Sequence, residues 1–358
     1  MPKKIGALLA AGALALAALT AATPSAAADG PECDHYRHCY GIANYHGATN
    51  IDNVAVDLWT DCLHLETPDT DLATHELWMW TNTAPPAITW IEGGYIRGIH
   101  AGGDSDRWYR WFWAEYDGST FSSHMIRHAY VGEWQQLWFT HYSNDKWGIY
   151  LGGQFAGQTA QSATVGTFVQ VGGETTEPEV YSRGKSRNLQ WHPQGGPWLA
   201  GGAGDATATA GVYTSSSTAA DSGMAQNSLK KICAPAPTAQ QAPATPPTQA
   251  ELKDFARDFA ARNGDKTDVE VEIVSTKRQA AADLSGSKAT VDDDQAPVHV
   301  IQMRGDFVGH MATAPKGAPT PRGNTITLTI DAATGEVTDW SLGNQSRDLT
   351  KLGAVKSL

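Results

Sequence analysis

Two glutamates, each followed or preceded by glycines, have the setting in this sequence that best suits chemistry. Glu92 lies in segment 89–94 (TWIEGG), and Glu174 lies in segment 169–174 (VQVGGE). Glycine beside a carboxyl group leaves room for another backbone to approach. Two carboxyls in one cleft hold a single proton between them, so one can take a proton from water while the other polarises a carbonyl. The pair therefore predicts amide hydrolysis with water as the nucleophile.

The same residues also allow other interpretations. A carboxyl pair serves glycoside hydrolysis as well, where the separation of the two groups decides the stereochemistry. Glutamates beside glycines are also found as plain turn or rim residues. The segment 33–39 (CDHYRHC) combines Cys and His, but its spacing fits no standard zinc site, so no metal is predicted. No phosphate-binding or dinucleotide-binding glycine motif is present in the sequence, and no cofactor is predicted.

Strands are the elements that have to position these carboxyls. Alternate residues of a strand share a face, so Glu92 is expected beside Trp90 and Gly94, and Glu174 beside Gln170. An indole next to a carboxyl shields it from water and raises its pKa. We therefore predict that Trp90 and Gln170 contact the substrate or support the two glutamates.

The first part of the chain has the sequence pattern of an all-β domain. Short runs rich in β-branched and aromatic residues recur between Gly, Asp, Asn and Pro, and long helical periodicity is absent. Such a pattern predicts a β-sandwich or barrel. The predicted strands are 53–58, 76–81, 89–96, 108–116, 134–142, 146–151 and 164–171.

A Pro/Ala/Thr stretch at 234–250 reads as an extended linker without apolar residues to bury. It separates a domain at 29–233 from a second domain at 251–358. The second domain begins with helical spacing of apolar residues at 251–262. Strand patterns follow at 269–275, 298–304, 325–330 and 337–342, which predicts a small α+β fold.

Residues 1–28 have the form of a signal peptide. Lys3 and Lys4 precede an apolar run, and small residues end it at Ala28. We therefore expect a secreted, extracellular protein. Its four cysteines, Cys33, Cys39, Cys62 and Cys233, then predict two disulfides with three possible pairings.

The charge and the hydropathy of the chain limit its partners. A formal net charge of −12 argues against nucleic acid or an anionic membrane surface as a partner. After the signal peptide, no segment is long and apolar enough to cross a membrane.

The order of four motifs resembles the catalytic domain of the neprosin family of glutamic peptidases, which is a β-sandwich. The motifs are IEGG at 91–94, RWFWAEYDG at 110–118, DKWGIY at 145–150 and VQVGGE at 169–174. The resemblance implies that Glu92 and Glu174 form the catalytic dyad and that the substrate is a protein or peptide. Val171 stands where an aromatic residue often precedes the second glutamate. The first domain is even more similar to small secreted actinobacterial proteins of unassigned function, which share the opening CDxYRHCY.

The second domain resembles PepSY-type domains in its strand at 298–307 (VHVIQMRGDF) and its hairpin at 327–337 (TLTIDAATGEV). This resemblance implies a module that binds or restrains a peptidase, so the second domain could restrain the first within one chain. An accessory or surface-binding module is the alternative.

The number and position of the tryptophans support a hypothesis from another functional class. Twelve of the thirteen tryptophans precede residue 200. Large aromatic side chains usually fill sandwich cores, but a row of them can also stack on sugar rings. The alternative to a peptidase is therefore a non-catalytic extracellular protein that binds a glycan or cell-surface polymer. The candidate platform residues are Trp108, Tyr109, Trp111, Trp113, Trp134 and Trp138.

Overall fold

The computed structural model describes residue 33 and the ranges 38–61, 63–65, 71–98, 109–176, 181–209, 213–218, 223–227, 246–265, 269–285 and 295–358. Within these ranges the chain consists mainly of antiparallel strands. The first part contains β1 (Cys39–Tyr45), β2 (Ile51–Trp59), β3 (Leu63–His64), β4 (Leu72–Asn82), β5 (Thr89–Gly98), β6 (Tyr109–Tyr116), β7 (Phe121–His128), β8 (Trp134–His141), β9 (Trp147–Leu151), β10 (Gln154–Gln158), β11 (Phe168–Thr175), β12 (Tyr181–Pro193), β13 (Leu199–Ala200), β14 (Asp205–Ala208), β15 (Tyr213–Ser216) and β16 (Gly223–Asn227). The second part contains α1 (Gln249–Arg262), β17 (Glu270–Lys277), α2 (Arg278–Ser285), β18 (Pro297–Val308), β19 (Arg322–Asp331), β20 (Val337–Gly343) and β21 (Lys356–Ser357).

Two large sheets contain these strands. The first has the order β14-β1-β11-β4-β5-β6-β7-β20-β19-β18-β17-β21, and the second has the order β10-β9-β8-β2-β12-β16-β15 with β3 and β13 beside β12. Apolar side chains from both sheets, among them Leu77, Ile91, Val56 and Phe139, form one buried cluster. Two sheets packed through such a layer make a sandwich. The predicted all-β sandwich is therefore confirmed.

The second part continues the first sheet. β20 pairs with β7 in antiparallel fashion, with Leu342 opposite Phe121 and Asp339 opposite His124. A second apolar cluster lies on the outer face of this sheet and contains Phe121 as well as Trp340. The small α+β region is confirmed, and it shares both a sheet and a core with the sandwich.

The sequence of helix α1 contains a capping motif and an apolar face, which together explain why a helix forms here. Thr248 caps the helix: its side chain accepts from the Glu251 backbone N–H, and the Glu251 side chain accepts from the Thr248 backbone in return. The apolar residues at helical spacing, Leu252, Phe255 and Phe259, are buried on one face. The helix predicted for 251–262 is therefore present. The sequence did not indicate α2, which begins directly at the end of β17.

Cys33 and Cys39 form a disulfide, with their Cα atoms 4.5 Å apart. Cys62 and Cys233 lie outside the described residues, as do the predicted signal peptide and most of the predicted linker. Within the part of the chain that the structure describes, no helix has the length and hydropathy needed to cross a membrane.

Candidate active site

The two predicted glutamates lie on the outer face of the first sheet. In β5, Ile91 belongs to the sandwich core and Trp90 to the outer cluster, so Glu92, which alternates with Ile91, points outward. Glu174 of β11 lies on the same face, because cross-strand pairing places Gln170 opposite Trp78 and Trp78 opposite Glu92. Both glutamates are fully buried.

Glu92 has a partner from each part of the chain. The Trp90 indole donates from Nε1 to Glu92 Oε2 at 3.1 Å. The Thr313 hydroxyl donates to Glu92 Oε1. The structure thus places Trp90 beside Glu92, as the alternation in β5 predicts.

Glu174 is held in a comparable way. His38 Nδ1 lies in hydrogen-bonding contact with Glu174 Oε1. The Ala314 backbone N–H donates to Glu174 Oε2 at 3.3 Å. The other ring nitrogen of His38, Nε2, contacts the His310 carbonyl oxygen at 3.1 Å. The imidazole therefore bridges Glu174 and the second part of the chain.

Glu76 of β4 is a third buried carboxyl at this site. It lies opposite Gly94 of β5 and opposite Gly172 of β11. The Thr74 hydroxyl donates to one of its oxygens. The other oxygen, Oε2, is buried without a hydrogen-bond partner among the described residues.

The glycines beside Glu76 are required by the spacing of the backbones. A Cβ on Gly94 would lie 2.4 Å from the Glu76 Cβ, and a Cβ on Gly172 would lie 2.1 Å from the Gly41 carbonyl oxygen. Both glycines therefore let neighbouring strands approach closely at the point where the three carboxyls gather.

The electrostatics favour neutral carboxyls here. Burial raises the pKa of Glu92 well above its usual range, and the charge of Glu174 raises it further, while the bonds from Thr313 and Trp90 oppose the rise. Burial also raises the pKa of Glu76, with Glu92 and Glu174 adding to the effect. Three carboxyls so close together cannot all ionise, so the site retains protons at pH values where an exposed glutamate has lost them.

Gln170 lies on the same face as Glu174 and contacts a backbone carbonyl and a side-chain amide rather than a carboxyl. Its Nε2 donates to the Lys316 carbonyl oxygen at 3.3 Å and to Asn44 Oδ1 at 3.0 Å. A side-chain amide in this position can hold an extended peptide by its main chain.

The connection between β18 and β19, residues 309–321, covers the site. We call it the cleft segment. Its residues Met311, Ala312, Thr313 and Ala314 are all buried. Because Glu92 contacts Thr313 and Glu174 contacts Ala314, the two carboxyls meet adjacent residues of one chain.

Three of these participants were not predicted. Glu76 was expected only as the first residue of the strand predicted at 76–81. His38 was considered only as part of the Cys/His segment. Thr313 lies in the stretch between two predicted strands, and the length of that stretch is itself a signal, since hairpin connections usually have 2–5 residues and much longer ones are commonly functional.

The tryptophans divide between core and surface. Trp111 and Trp113 are fully buried in the sandwich core, so they cannot form a platform for sugars. Trp138 of β8 instead packs against Tyr150 of β9 on the second sheet, with ring centroids 5.3 Å apart. Next to them lies Phe155, whose exposed fraction is 38%.

His75, Glu76's neighbour, is a structural histidine. It is fully buried, and burial lowers its pKa to about 3, so the ring is neutral at ordinary pH. In the described ranges, no group of three or more His, Cys, Asp or Glu side chains is placed to hold a metal ion.

Comparison with known proteins gives structural neighbours alone. No family model and no curated protein matches the chain. Scytalido-glutamic peptidase with a peptide-based transition-state analog superposes with a TM-score of 0.37 at 11% identity, over 53% of this chain and 97% of that one. A second structure of it, with a transition-state analog inhibitor, gives 0.39 at 10% identity over the same shares.

SCP-B, an eqolisin-family peptidase in complex with the tripeptide Ala-Ile-His, gives a TM-score of 0.36 at 11% identity, over 53% of this chain and 96% of that one. These neighbours are of the glutamic-peptidase type.

Proposed function

We propose that the chain is a secreted glutamic peptidase that hydrolyses peptide bonds with Glu92 and Glu174. One observation carries the proposal: two buried carboxyls from different strands contact adjacent residues of one peptide segment. The proposal includes that the first part of the chain is similar to neprosin-type peptidases and that the second part is similar to PepSY-type domains.

The surroundings of the two glutamates suggest different roles. A His38 imidazolium, which donates from Nε2 to the His310 carbonyl and from Nδ1 to Glu174, would favour the carboxylate form of Glu174, and this carboxylate would take a proton from water. Burial favours the protonated form of Glu92, which would donate a hydrogen bond to the substrate carbonyl. The water oxygen bonds to the carbonyl carbon, the carbon–nitrogen bond breaks, and Glu174 passes its proton to the leaving amine. The proposal involves no metal and no cofactor.

Trp90 and Gln170 have supporting roles in this mechanism. The Trp90 indole keeps one oxygen of Glu92 engaged, so the other oxygen faces the substrate. Gln170 would hold the substrate by a backbone carbonyl, as it holds Lys316 in the structure.

Activity should be highest in acid, because the dyad works with one proton shared between its members. The raised pKa of Glu92 extends the active range upward towards neutral pH, since the protonated acid persists there. A protein or peptide substrate in an acidic extracellular setting fits this chemistry.

The test is cleavage of an unstructured protein by the full chain between about pH 3 and pH 7. Glu92→Gln and Glu174→Gln should each lower the rate by about 10²- to 10⁴-fold, the usual worth of a positioned acid or base. Glu270→Gln is the matched control, because its side chain is largely exposed and, among the described residues, forms an ion pair with Arg304 alone. Cleavage that survives both active-site changes would place the chemistry elsewhere.

A second candidate function rests on the aromatic row formed by Trp138, Tyr150 and Phe155. Consecutive rings of the row are 5.3 and 5.5 Å apart. Such a row could stack on the sugar rings of a glycan or cell-surface polymer. Retention on insoluble polysaccharide that is lost in Trp138→Ala, with no cleavage at any pH, would favour this binding protein over the peptidase.

A further inference from the structure

The cleft segment follows the carboxyl site over its whole length. Its His310 carbonyl meets His38, its Ala314 N–H meets Glu174, and its Lys316 carbonyl accepts from Gln170. On β11, Gln170 and Glu174 are four residues apart on one face, so the segment runs beside this strand from Glu174 to Gln170. Main-chain contacts at successive points along a strand are how extended peptides are commonly bound by sheets.

The segment is anchored at its base. The Asn263 carbonyl, at the end of α1, accepts from the Val308 N–H at 2.7 Å, and the Asn263 side-chain oxygen accepts from the Met311 N–H at 3.2 Å. The Gly309 N–H donates to the Pro321 carbonyl at 2.8 Å and closes the two ends together. Since β18 and β19 are paired strands, the segment is tethered on both sides.

The contacts with the dyad are those of an unproductive complex. Glu92 receives the Thr313 hydroxyl rather than facing a carbonyl, and Glu174 receives the Ala314 amide N–H. Both carboxyls are thus engaged by donors of the segment itself. Neither is free to activate water or to polarise a peptide carbonyl.

The side chains at the dyad are small. The exposed fractions of Ala312, Thr313 and Ala314 are 1%, 2% and 7%, so no space remains around them for larger groups. Lys316, two residues beyond Ala314, is exposed. The cleft therefore constrains side chains near the dyad and leaves them free beyond it.

We propose that the cleft segment is a built-in inhibitor that binds as a substrate peptide would, and that it reveals the substrate class: extended peptides with Ala, Thr or similarly small residues on both sides of the reacting bond. This inference rests on the proposed peptidase function for its activity readout. Its binding readout does not depend on catalysis.

The first test is Ala314→Arg in the full chain. An arginine side chain has no room in this buried position and carries a charge that is costly to bury, so the segment should leave the cleft. Pro319→Arg adds the same side chain to an exposed residue of the same segment and is the matched control. We expect Ala314→Arg to cleave an unstructured protein at least about tenfold faster than wild type or Pro319→Arg. A tenfold rise requires that the fraction of molecules with an open cleft increases about tenfold.

The second test is binding of a synthetic peptide with the sequence of residues 310–318, measured by titration calorimetry. It should bind Ala314→Arg and not wild type, whose cleft is occupied. The same peptide with leucine in place of both alanines at 312 and 314 should bind at least about tenfold more weakly, because added methylenes overfill a packed site. Binding without cleavage would support the inhibitor and refute the dyad chemistry.

Several outcomes would overturn the inference. Equal cleavage by wild type and Ala314→Arg would show that the segment does not inhibit. Equal peptide binding by the two proteins, or by neither, would show that the segment does not occupy a peptide cleft. A cut between residues 313 and 314 of wild type on acid incubation, seen by mass spectrometry, would make the segment a substrate rather than an inhibitor.

Thr313→Val provides an independent variant if Ala314→Arg does not fold. It keeps the shape of the residue and removes only the hydroxyl that meets Glu92. Loss of one such bond should raise cleavage by about two- to tenfold. An unchanged rate in a folded Thr313→Val protein would count against inhibition by these contacts.

Discussion

Replacing Asp339 with asparagine should weaken the junction between the two parts of the chain. Asp339 Oδ1 lies 2.9 Å from His124 Nδ1, and Asp339 Oδ2 lies 3.5 Å from Arg278 Nη2. The Thr338 hydroxyl donates to the same carboxylate at 2.9 Å. Asparagine has almost the same shape, so the substitution removes the charge with little change in packing.

The size of the effect follows from burial. The exposed fractions of the three side chains are 15% for Asp339, 13% for Arg278 and 3% for His124. Removing one partner of a buried pair costs about 3–5 kcal/mol, and the residual exposure here indicates the lower end, about 3 kcal/mol. For a chain of this length that loss lowers the melting temperature by about 4 °C.

The pH dependence has a definite sign. Burial opposes ionisation of Asp339, but Arg278 and His124 more than offset it, so its pKa is lowered. A lowered pKa means that the stabilisation is present above the unfolded value, about 4, and is lost as the pH falls through the folded value. The difference between wild type and Asp339→Asn should therefore be greatest near neutral pH and shrink in strong acid.

The assay is thermal unfolding followed by circular dichroism at pH 7 and pH 3. Asp283→Asn is the matched control, because Asp283 is exposed on α2 and its carboxylate accepts a hydrogen bond from Gln279. A melting temperature of Asp339→Asn within about 1 °C of this control at pH 7 would refute the reasoning, as that gap is far below the expected loss. A difference that grows in acid would refute the assigned sign.

Three further changes test the packing of the site. Glu76→Gln should raise the melting temperature at pH 7 and leave it unchanged at pH 3. The reason is that a carboxyl whose pKa is raised by folding reduces stability as the pH rises above its pKa in the unfolded chain. Equal shifts of the melting temperature at both pH values would contradict this. Gly184→Ala should lower the free energy of unfolding by about 1–3 kcal/mol, because its Cβ would lie 2.1 Å from the His75 ring. Gly47→Ala is the control, because the space around Gly47 is open. Equal unfolding midpoints of the two variants in urea would contradict this. Replacing both Cys33 and Cys39 with serine should lower the free energy of unfolding by about 2 kcal/mol, because the unfolded chain is then no longer closed into a short loop. A loss below about 0.5 kcal/mol in a urea titration would contradict this.

The sequence was most informative where β-branched and aromatic residues cluster or where apolar residues recur at helical spacing. The strand predicted at 89–96 corresponds to β5, and the two-residue repeat of a strand correctly placed Trp90 on the face of Glu92. The strand at 76–81 was predicted from its aromatic residues, and the helix at 251–262 from the apolar residues that share one face.

The strands that were missed depend on distant partners. β1 is buried on both faces, so it shows no alternation, and only its Cys39 was considered. β7 is rich in Ser and His, and it pairs with β20, more than 200 residues away in sequence. No local pattern indicates such a pairing.

The site shows the same division. The glycine-flanked glutamates were found from sequence, because their local setting is unusual. The contact of Glu92 with Thr313 spans 221 positions, and that of His38 with Glu174 spans 136. The first contact forms only when the second part has packed onto the sheet, and the other forms only when the start of β1 lies beside the end of β11.

The pairing of β7 with β20 also affects how the chain can release its cleft. If the second part left as a whole, β7 would become an open edge, with unpaired N–H and C=O groups and the buried Phe121 facing solvent. Such an edge invites pairing with other chains and aggregation. Withdrawal of residues 309–321 alone keeps the sheet closed, so local opening is the route that preserves a dispersed protein.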